Sequence, residues 1–302
     1  MQKEFYSNGK LLLSGEYAIL DGALGLAVPT KYGQSLKVAD SDSDILHWTS
    51  FDENKKIWFQ AEINPEDFKI VSTSDESIAQ TLVKLLSEAR RQNADFLFKS
   101  KGVAVETHLG FPRSWGLGTS STLINNIAQW AKVDAYQLLW NAFGGSGYDI
   151  ACAQHNAPLT YQLQQGKPYV NQVSFDPSFK ESLYFVHLNQ KQSSKEAIAA
   201  YRKQQFNKEE LIQTISSLTQ QLIHASTLDE FQEVLEQHEA TMSRILQIPT
   251  VKSTFFPDYR GAIKSLGAWG GDFVLAAGDT QTLDYFRSKG FDTIIPFSRM
   301  AL

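Results

Sequence analysis

The chain is poor in cysteine and in long apolar runs. One cysteine, Cys152, occurs in 302 residues, which excludes an internal disulfide and any metal site built from several cysteines. No stretch of about 18 apolar residues is present to span a bilayer, and the N-terminus lacks an apolar run of signal-peptide length. We therefore expect a cytoplasmic protein with no membrane partner.

Positive charge is also scarce. The net charge is −5 and no long basic run occurs, which argues against nucleic acid and anionic membranes as partners. A polyanionic ligand would need positive groups gathered locally, and the candidates beside glycine-rich stretches are Lys10, Arg113 and Lys264. The hydrophobic content of 42% and charged content of 20% are typical of a globular protein long enough for two domains.

Motifs of several common enzyme classes are missing. Neither the P-loop pattern Gly-x-x-x-x-Gly-Lys-Ser/Thr nor a Rossmann Gly-x-Gly-x-x-Gly after a first strand is present. His238-Glu239 lacks the second histidine of a zinc-protease helix. In Gly145-Ser146-Gly147 the serine is in the wrong frame for a nucleophile elbow. These patterns argue against the corresponding classes.

The most informative stretch is Phe111–Ser121, which is rich in glycine and hydroxyl side chains. The alternation over 103–109 predicts a strand before it, and the apolar spacing over 124–131 predicts a helix after it. Backbone N–H groups at such a helix N-terminus bind anions, and glycines allow a ligand close to the main chain. The alternative is a serine-capped turn without a ligand.

The remaining pattern predicts a strand-rich first half and a second half with paired helices. A hairpin with its turn at Asp21-Gly22, a loop over Gln164–Pro177 and a domain boundary near residue 178 are expected. The second half follows a βααββαβ-like order, which suits a sheet covered by helices. The predicted strands of the first half are Lys10–Leu13, Tyr17–Leu20, Leu24–Val28, Ser35–Ala39, Ile45–Thr49 and Ile57–Ala61.

Three glycine-rich stretches together resemble the motifs of the GHMP kinase superfamily, and most closely those of mevalonate and phosphomevalonate kinases. Gly147-Tyr148-Asp149-Ile150-Ala151 also spells the signature of the GYDIA branch. The three stretches, in family order, are Asn8-Gly9-Lys10-Leu11-Leu12-Leu13-Ser14-Gly15-Glu16-Tyr17, Pro112-x-x-x-Gly116-Leu117-Gly118-Thr119-Ser120-Ser121 and Ser265-Leu266-Gly267-Ala268-Trp269-Gly270-Gly271-Asp272.

This resemblance implies an α+β fold of two domains. Residues 1–178 would form a domain like ribosomal protein S5 domain 2, and residues 179–302 a ferredoxin-like domain. The resemblance further implies that ATP and a small-molecule substrate bind in the cleft between them, with Mg²⁺ as cofactor. A homodimer is compatible with this two-domain interpretation.

The resemblance also implies roles for individual residues. Asp149 would accept the proton of the attacking hydroxyl, Lys10 would stabilise the transferring phosphoryl group or the acceptor, and Ser120 would bind Mg²⁺. ATP would contact Pro112, Gly116, Leu117, Gly118, Thr119, Ser120 and Ser121. Substrate would contact Glu16, Tyr17, Gly147, Gly267, Ala268, Gly270, Gly271 and Asp272. The alternatives are a turn residue for Asp149, a solvated lysine for Lys10, a helix N-cap for Ser120 and a hairpin surface pair for Glu16 and Tyr17.

Two departures from the family pattern bear on function. Trp269 stands where the third motif normally has glycine, and no acidic residue lies between Asp134 and Asp149 to serve as the metal-binding glutamate of mevalonate kinases. The expected activity is ATP-dependent phosphorylation of mevalonate or phosphomevalonate. The alternatives are a non-catalytic relative that binds a nucleotide or small molecule, a kinase for a sugar or amino-acid-derived alcohol, and a diphosphomevalonate decarboxylase.

Overall fold

The structure is a computed structural model that describes residues 2–98, 102–190, 194–269 and 271–302. These residues form two compact units, each assembled from separate stretches of the chain. Unit 1 comprises Met1–Gly9, Tyr32–Arg113 and Leu117–Gln154, and unit 2 comprises Lys10–Lys31, Ser114–Gly116 and His155–Leu302. The domain boundary near residue 178 stays a prediction.

Runs of strands and runs of helices follow one another along the described chain, with short 3-10 helices at Ala18–Leu20, Arg113–Trp115 and Lys180–Ser182. The strands are β1 (Lys3–Ser14), β2 (Gly25–Asp40), β3 (Leu46–Phe51), β4 (Ile57–Ile63), β5 (Ile70–Thr73), β6 (Val103–Leu109), β7 (Leu159–Gln164), β8 (Lys167–Gln172), β9 (Leu183–His187), β10 (Ala262–Ser265), β11 (Phe273–Ala277) and β12 (Ile294–Pro296). The α-helices are α1 (Glu76–Gln92), α2 (Thr119–Ala131), α3 (Ala135–Ala142), α4 (Tyr148–Gln154), α5 (Ser194–Lys203), α6 (Lys208–His224), α7 (Leu228–Leu246), α8 (Val251–Phe255), α9 (Thr282–Ser288) and α10 (Phe297–Met300).

Unit 1 is a sheet covered by helices. Its strands lie in the order β5-β4-β3-β6-β2, with β3 and β6 parallel and the other neighbours antiparallel. Alternate residues of β6 are buried, as the period of two requires. The apolar stripe of α1 from Ala79 to Ala89 packs into the same core as Ile124 and Ile127 of α2. This core fixes α2 on the sheet.

Unit 2 contains an antiparallel sheet of four strands in the order β10-β11-β9-β12. Helices connect β9 to β10 and β11 to β12, so the arrangement is the βαββαβ pattern of a ferredoxin-like fold. Unit 2 also holds the first part of β2, which pairs through Gly25–Ala27 with β7, and β7 pairs with β8. The ferredoxin-like expectation for the second half is therefore confirmed.

The structure differs from the predicted elements in three places. Tyr17–Leu20 is not a strand, because Gly15 and Tyr17 have φ of 98° and 59° and a 3-10 helix follows. Strand β2 continues through Pro29. This proline lies between the stretch of β2 that pairs with β7 and the stretch that pairs with β6, so its missing N–H group removes no hydrogen bond from either pairing. The predicted loop after Gln164 contains β8, because Gln165 and Gly166 both have positive φ, as a tight type I′ hairpin requires.

Candidate functional site

The glycine-rich loop after β6 leads into a helix that has no side-chain cap. Gly116 and Gly118 have φ of 63° and 92°, a region open to glycine but costly for other residues. Gly118 is the N-cap of α2, and as a glycine it makes no side-chain cap hydrogen bond. Leu117 is fully buried and anchors the loop. An uncapped helix N-terminus beside a glycine loop can bind an anion.

The hydroxyl groups of this helix do not replace the missing cap. Ser121 Oγ donates to the carbonyl oxygen of Gly118 at 2.9 Å, and Thr122 Oγ1 lies 3.1 Å from the same oxygen. Thr119 is half-buried and Ser120 is exposed. The alternative in which Ser120 or Ser121 caps the helix is therefore wrong, since the N-cap is Gly118.

Unit 2 brings together one residue from each of the three glycine-rich stretches. Lys10 Nζ donates to the carbonyl oxygen of Gly116 at 2.7 Å. A Cβ atom at Gly116 would overlap the carboxylate of Asp272. Pro112, in unit 1, is half-buried just before the 3-10 helix that leads to this glycine. The first-motif lysine thus lies beside the loop predicted to bind phosphate.

Asp149 lies in unit 1 as the second residue of α4. Its side chain is half-buried, and its Oδ1 accepts a hydrogen bond from the Ile150 N–H at 3.1 Å. Gly147, with φ of 92°, makes the turn into the helix. The first turn of a helix favours a negative side chain, so Asp149 suits its position on α4.

Glu16 lies in a buried charged cluster of unit 2, which we define as Glu16, His238, Glu239 and Lys264. Lys264 Nζ lies 2.8 Å from Glu16 Oε2 and 3.4 Å from Glu239 Oε1. His238 Nε2 accepts a hydrogen bond from the Gly15 N–H at 3.1 Å, so the ring proton sits on Nδ1. The four residues are between 0% and 3% exposed. The predicted substrate contact at Glu16 is therefore covered by protein.

Burial dominates the ionisation of this cluster. It raises the pKa of the Glu16 and Glu239 carboxyls, although the Lys264 ammonium group opposes the shift. Burial and then the charge of Lys264 hold the pKa of His238 well below its usual range, so the imidazole is neutral. The single ammonium group of Lys264 is thus close to two buried carboxyl groups, those of Glu16 and Glu239.

The other predicted substrate contacts are also in unit 2. Tyr17 is 7% exposed and its ring stacks on Tyr201 at 5.4 Å between centroids. Gly267 has φ of 64°, Ala268 is buried, and Gly271 leads into Asp272, whose φ is 48°. The predicted contact at Gly270 lies outside the described residues.

Trp269 has a positive φ, a backbone conformation that favours glycine. Its φ is 37°, its side chain is 5% exposed, and its Nε1 donates to the carbonyl oxygen of Pro249 at 3.4 Å. The Lys264 ammonium group lies 5.9 Å from its ring centroid. The indole is therefore packed within unit 2.

Of the three candidate positive groups, Lys10 contacts the glycine loop through the carbonyl oxygen of Gly116. The Arg113 guanidinium stacks at 3.9 Å over the Trp58 ring of unit 1. Lys264 is 0% exposed and paired with carboxylates, so the expectation that it gathers charge for a polyanion is wrong. For His238, which lies in the same cluster, a sequence signal was available, since it falls with Leu235 and Met242 on one buried face of α7. An ionisable residue at a core position indicates a buried partner.

Neither a metal cluster nor a membrane span is found in the described ranges. No group of three or more His, Cys, Asp or Glu side chains there is placed to hold a metal ion. No helix among the described residues is long and apolar enough to cross a membrane.

Comparison with known proteins identifies the fold. No family model matches the chain, and no curated protein matches it by sequence. Among solved structures, it is similar to the mevalonate kinase of Methanococcus jannaschii, with a TM-score of 0.70, 15% identity and coverage of 98% of this chain and 97% of that one. The phosphomevalonate kinase of Streptococcus pneumoniae, in complex with phosphomevalonate and AMPPNP, has a TM-score of 0.69, 16% identity and 95% coverage of each chain.

A third similar structure is the D-glycero-D-manno-heptose 1-phosphate kinase of Bacteroides thetaiotaomicron, with a TM-score of 0.66, 15% identity and coverage of 100% of this chain and 96% of that one. All three are members of the GHMP kinase superfamily. The chain therefore has the two-domain α+β fold of the GHMP kinases, as the three glycine-rich stretches predicted.

Proposed function

We propose that this chain is a kinase of the GHMP type that transfers the γ-phosphoryl group of ATP to mevalonate or phosphomevalonate. The observation that carries the proposal is the start of α2. Its N-cap is a glycine with positive φ, which makes no side-chain cap hydrogen bond, and Lys10 reaches the loop before it. In a chain with the GHMP kinase fold, this is where phosphate groups would bind.

The loop supplies donors for the phosphates of ATP. The N–H groups of Thr119, Ser120 and Ser121 stand at the positive end of the dipole of α2, which favours anions. Leu117 holds the loop in place by burial. Pro112 restricts the backbone where the loop begins. Binding of ATP would thus rely mostly on the main chain, which agrees with the acidic composition of the protein.

Lys10 and Asp149 are the proposed catalytic residues. The Lys10 ammonium group, held at the Gly116 carbonyl, would stabilise negative charge on the transferring phosphoryl group. The Asp149 carboxylate would accept the proton of an attacking hydroxyl, or orient the acceptor when it is a phosphate. Mg²⁺ would bind together with ATP. Ser120, which is exposed, is the proposed protein ligand of this ion.

The predicted acceptor contacts are Gly147 in unit 1, and Tyr17 and the third glycine-rich stretch in unit 2. Because Glu16 and Tyr17 are buried, they would shape the backbone around the pocket more than contact the acceptor. Asp272, close to Gly116, is better placed to bind the acceptor or the metal that accompanies ATP. The resemblance of the three stretches favours mevalonate or phosphomevalonate. Similarity to the heptose phosphate kinase supports a sugar phosphate as the second candidate.

Mg²⁺-dependent release of ADP from ATP tests the proposal. The acceptors are mevalonate, phosphomevalonate, diphosphomevalonate, homoserine, galactose and a heptose phosphate, and Asp149→Asn is measured beside the wild type. We expect turnover with one acceptor and a loss of about 10²-fold or more in the variant. Release of CO₂ with ADP would assign a decarboxylase instead. Binding of ATP without turnover would favour a non-catalytic relative, and absence of ATP binding would refute the kinase.

A further inference from the structure

One face of α2 in unit 1 is both polar and buried. Thr122, Asn125, Asn126 and Gln129 recur at the spacing i, i+3, i+4, i+7. The first three side chains are 1%, 2% and 0% exposed. A polar stripe of this spacing normally faces water. Its burial therefore requires partners within the protein, because an unpaired buried amide is costly.

Part of this stripe ties α2 to the sheet of unit 1. Ser7 Oγ, on β1, donates to Asn126 Oδ1 at 2.8 Å. Asn126 Nδ2 donates to the carbonyl oxygen of Gln34, on β2, at 2.9 Å. Thr122 Oγ1 donates to Gln34 Oε1 at 2.7 Å. The first turns of α2 are thus oriented by directional bonds as well as by apolar packing.

Asn125 extends the stripe to α4. Its Nδ2 donates to Ser7 Oγ at 2.8 Å, and to the carbonyl oxygen of Ala153 at 3.5 Å. Its Oδ1 accepts a hydrogen bond from Gln154 Nε2 at 3.0 Å. Gln154 is the final residue of α4, and Asp149 is the second residue of that helix. One amide therefore joins the helix predicted to bind phosphate with the helix that carries Asp149.

We propose that Asn125 and Gln154 are positioning residues, whose hydrogen bond holds α4, and with it Asp149, in a defined register against α2. Apolar contacts between two helices are non-directional and tolerate small shifts. A hydrogen bond between side chains on two helices restricts both the donor–acceptor distance and the angle at the hydrogen atom. Displacing a reacting group by about 1 Å can reduce a rate by about 10²-fold. This inference rests on the proposed function, since it assigns Asp149 to the reaction.

The test compares Gln154→Met with Gln129→Met. Both glutamines are exposed and both donate through the side-chain amide, but Gln129 Nε2 donates to β1, to the carbonyl oxygen of Tyr6 at 3.2 Å and to Ser7 Oγ at 3.5 Å, whereas Gln154 Nε2 joins α4 to α2. Steady-state kinetics are measured with the acceptor found above, and AMPPNP binding is measured by calorimetry. Amide hydrogen exchange of residues 148–151 reports the order of α4 directly, with or without turnover.

We expect Gln154→Met to lower kcat about tenfold or more, with the Kd for AMPPNP changed less than twofold, because α2 keeps its other bonds. Exchange of the α4 amides is expected to accelerate. Gln129→Met should change neither quantity by more than twofold. Unchanged exchange in Gln154→Met, or equal losses of kcat in both variants, would overturn the inference. A wild type without turnover would refute the proposed function alone, and the exchange result would still decide the register of α4.

Discussion

Replacing Lys264 with methionine is the most informative test of the buried charged cluster. The substitution keeps much of the volume of the side chain and removes its charge. Glu16 and Glu239 then remain buried without the ammonium group that lies 2.8 Å and 3.4 Å from them. We expect a large loss in the free energy of unfolding near neutral pH.

The magnitude follows from these distances. At an effective dielectric constant of 20, the two attractions are about 6 and about 5 kcal/mol before desolvation is counted. Desolvation of three buried groups offsets most of this sum. Removing one partner of a buried ion pair commonly costs about 3–5 kcal/mol, because the remaining charge has no compensation. We expect Lys264→Met to lie in that range at pH 8.

The loss should grow with pH. Burial already raises the pKa of both carboxyls, and Lys264 is the group that opposes this shift. A carboxyl whose pKa is raised in the folded state stabilises the protein less as the pH rises from its unfolded-state pKa to its folded-state pKa. Without Lys264 both folded-state values rise further, so the penalty is small below about pH 4.5 and increases above it.

Urea unfolding at pH 4 and pH 8, followed by circular dichroism, measures the effect. The matched control is Lys208→Met, because Lys208 lies 2.8 Å from Asp21 Oδ1 but its side chain is 65% exposed. That pair should contribute less than about 1 kcal/mol at either pH. Adding Glu16→Gln to Lys264→Met should recover part of the stability at pH 8. A loss under about 1 kcal/mol for Lys264→Met, or one that is larger in acid, would refute the reasoning.

Two further predictions concern the glycine loop and acid stability. Gly116→Ala should weaken AMPPNP binding at least about tenfold by calorimetry, because alanine is strained at a φ of 63° and its Cβ overlaps the Asp272 carboxylate; unchanged affinity would argue against this loop as the nucleotide site. Glu88→Gln should reduce stability at neutral pH and flatten its decline in acid, because bonds chiefly from Arg91 lower the pKa of Glu88 to about 2. That contribution is present above about pH 4.5 and is lost as the pH falls towards 2, so thermal melting across this window measures it.

Local signals in the sequence predicted the element that carries the candidate phosphate loop. Strand β6 begins and ends at the residues where the alternation does, and α2 follows the apolar spacing over 124–131. Both depend on neighbours within a few residues, so the sequence is sufficient. The order of the three glycine-rich stretches then indicated the fold of unit 2, which periodicity alone would not have selected.

Burial of polar side chains could not be predicted in the same way. The stripe on α2 would be solvent-exposed on any surface helix, and its partner Ser7 is 118 residues away from Asn125 in sequence. The role of Lys264 depends on Glu16 at the other end of the chain. Nothing local distinguishes such residues from solvated ones, since the difference is made by contacts that exist only in the fold.

The pairing of Glu16 with Lys264 also bears on the order in which segments become buried during synthesis. During synthesis, Glu16 is made about 250 residues before Lys264, which corresponds to roughly 12 to 50 seconds at 5–20 residues per second. Throughout that interval the carboxylate has water as its only strong partner, and its burial would be opposed by the full desolvation cost. The Gly15-Glu16 turn is therefore expected to stay hydrated on the growing chain until β10 is made, so that it is enclosed long after its own synthesis.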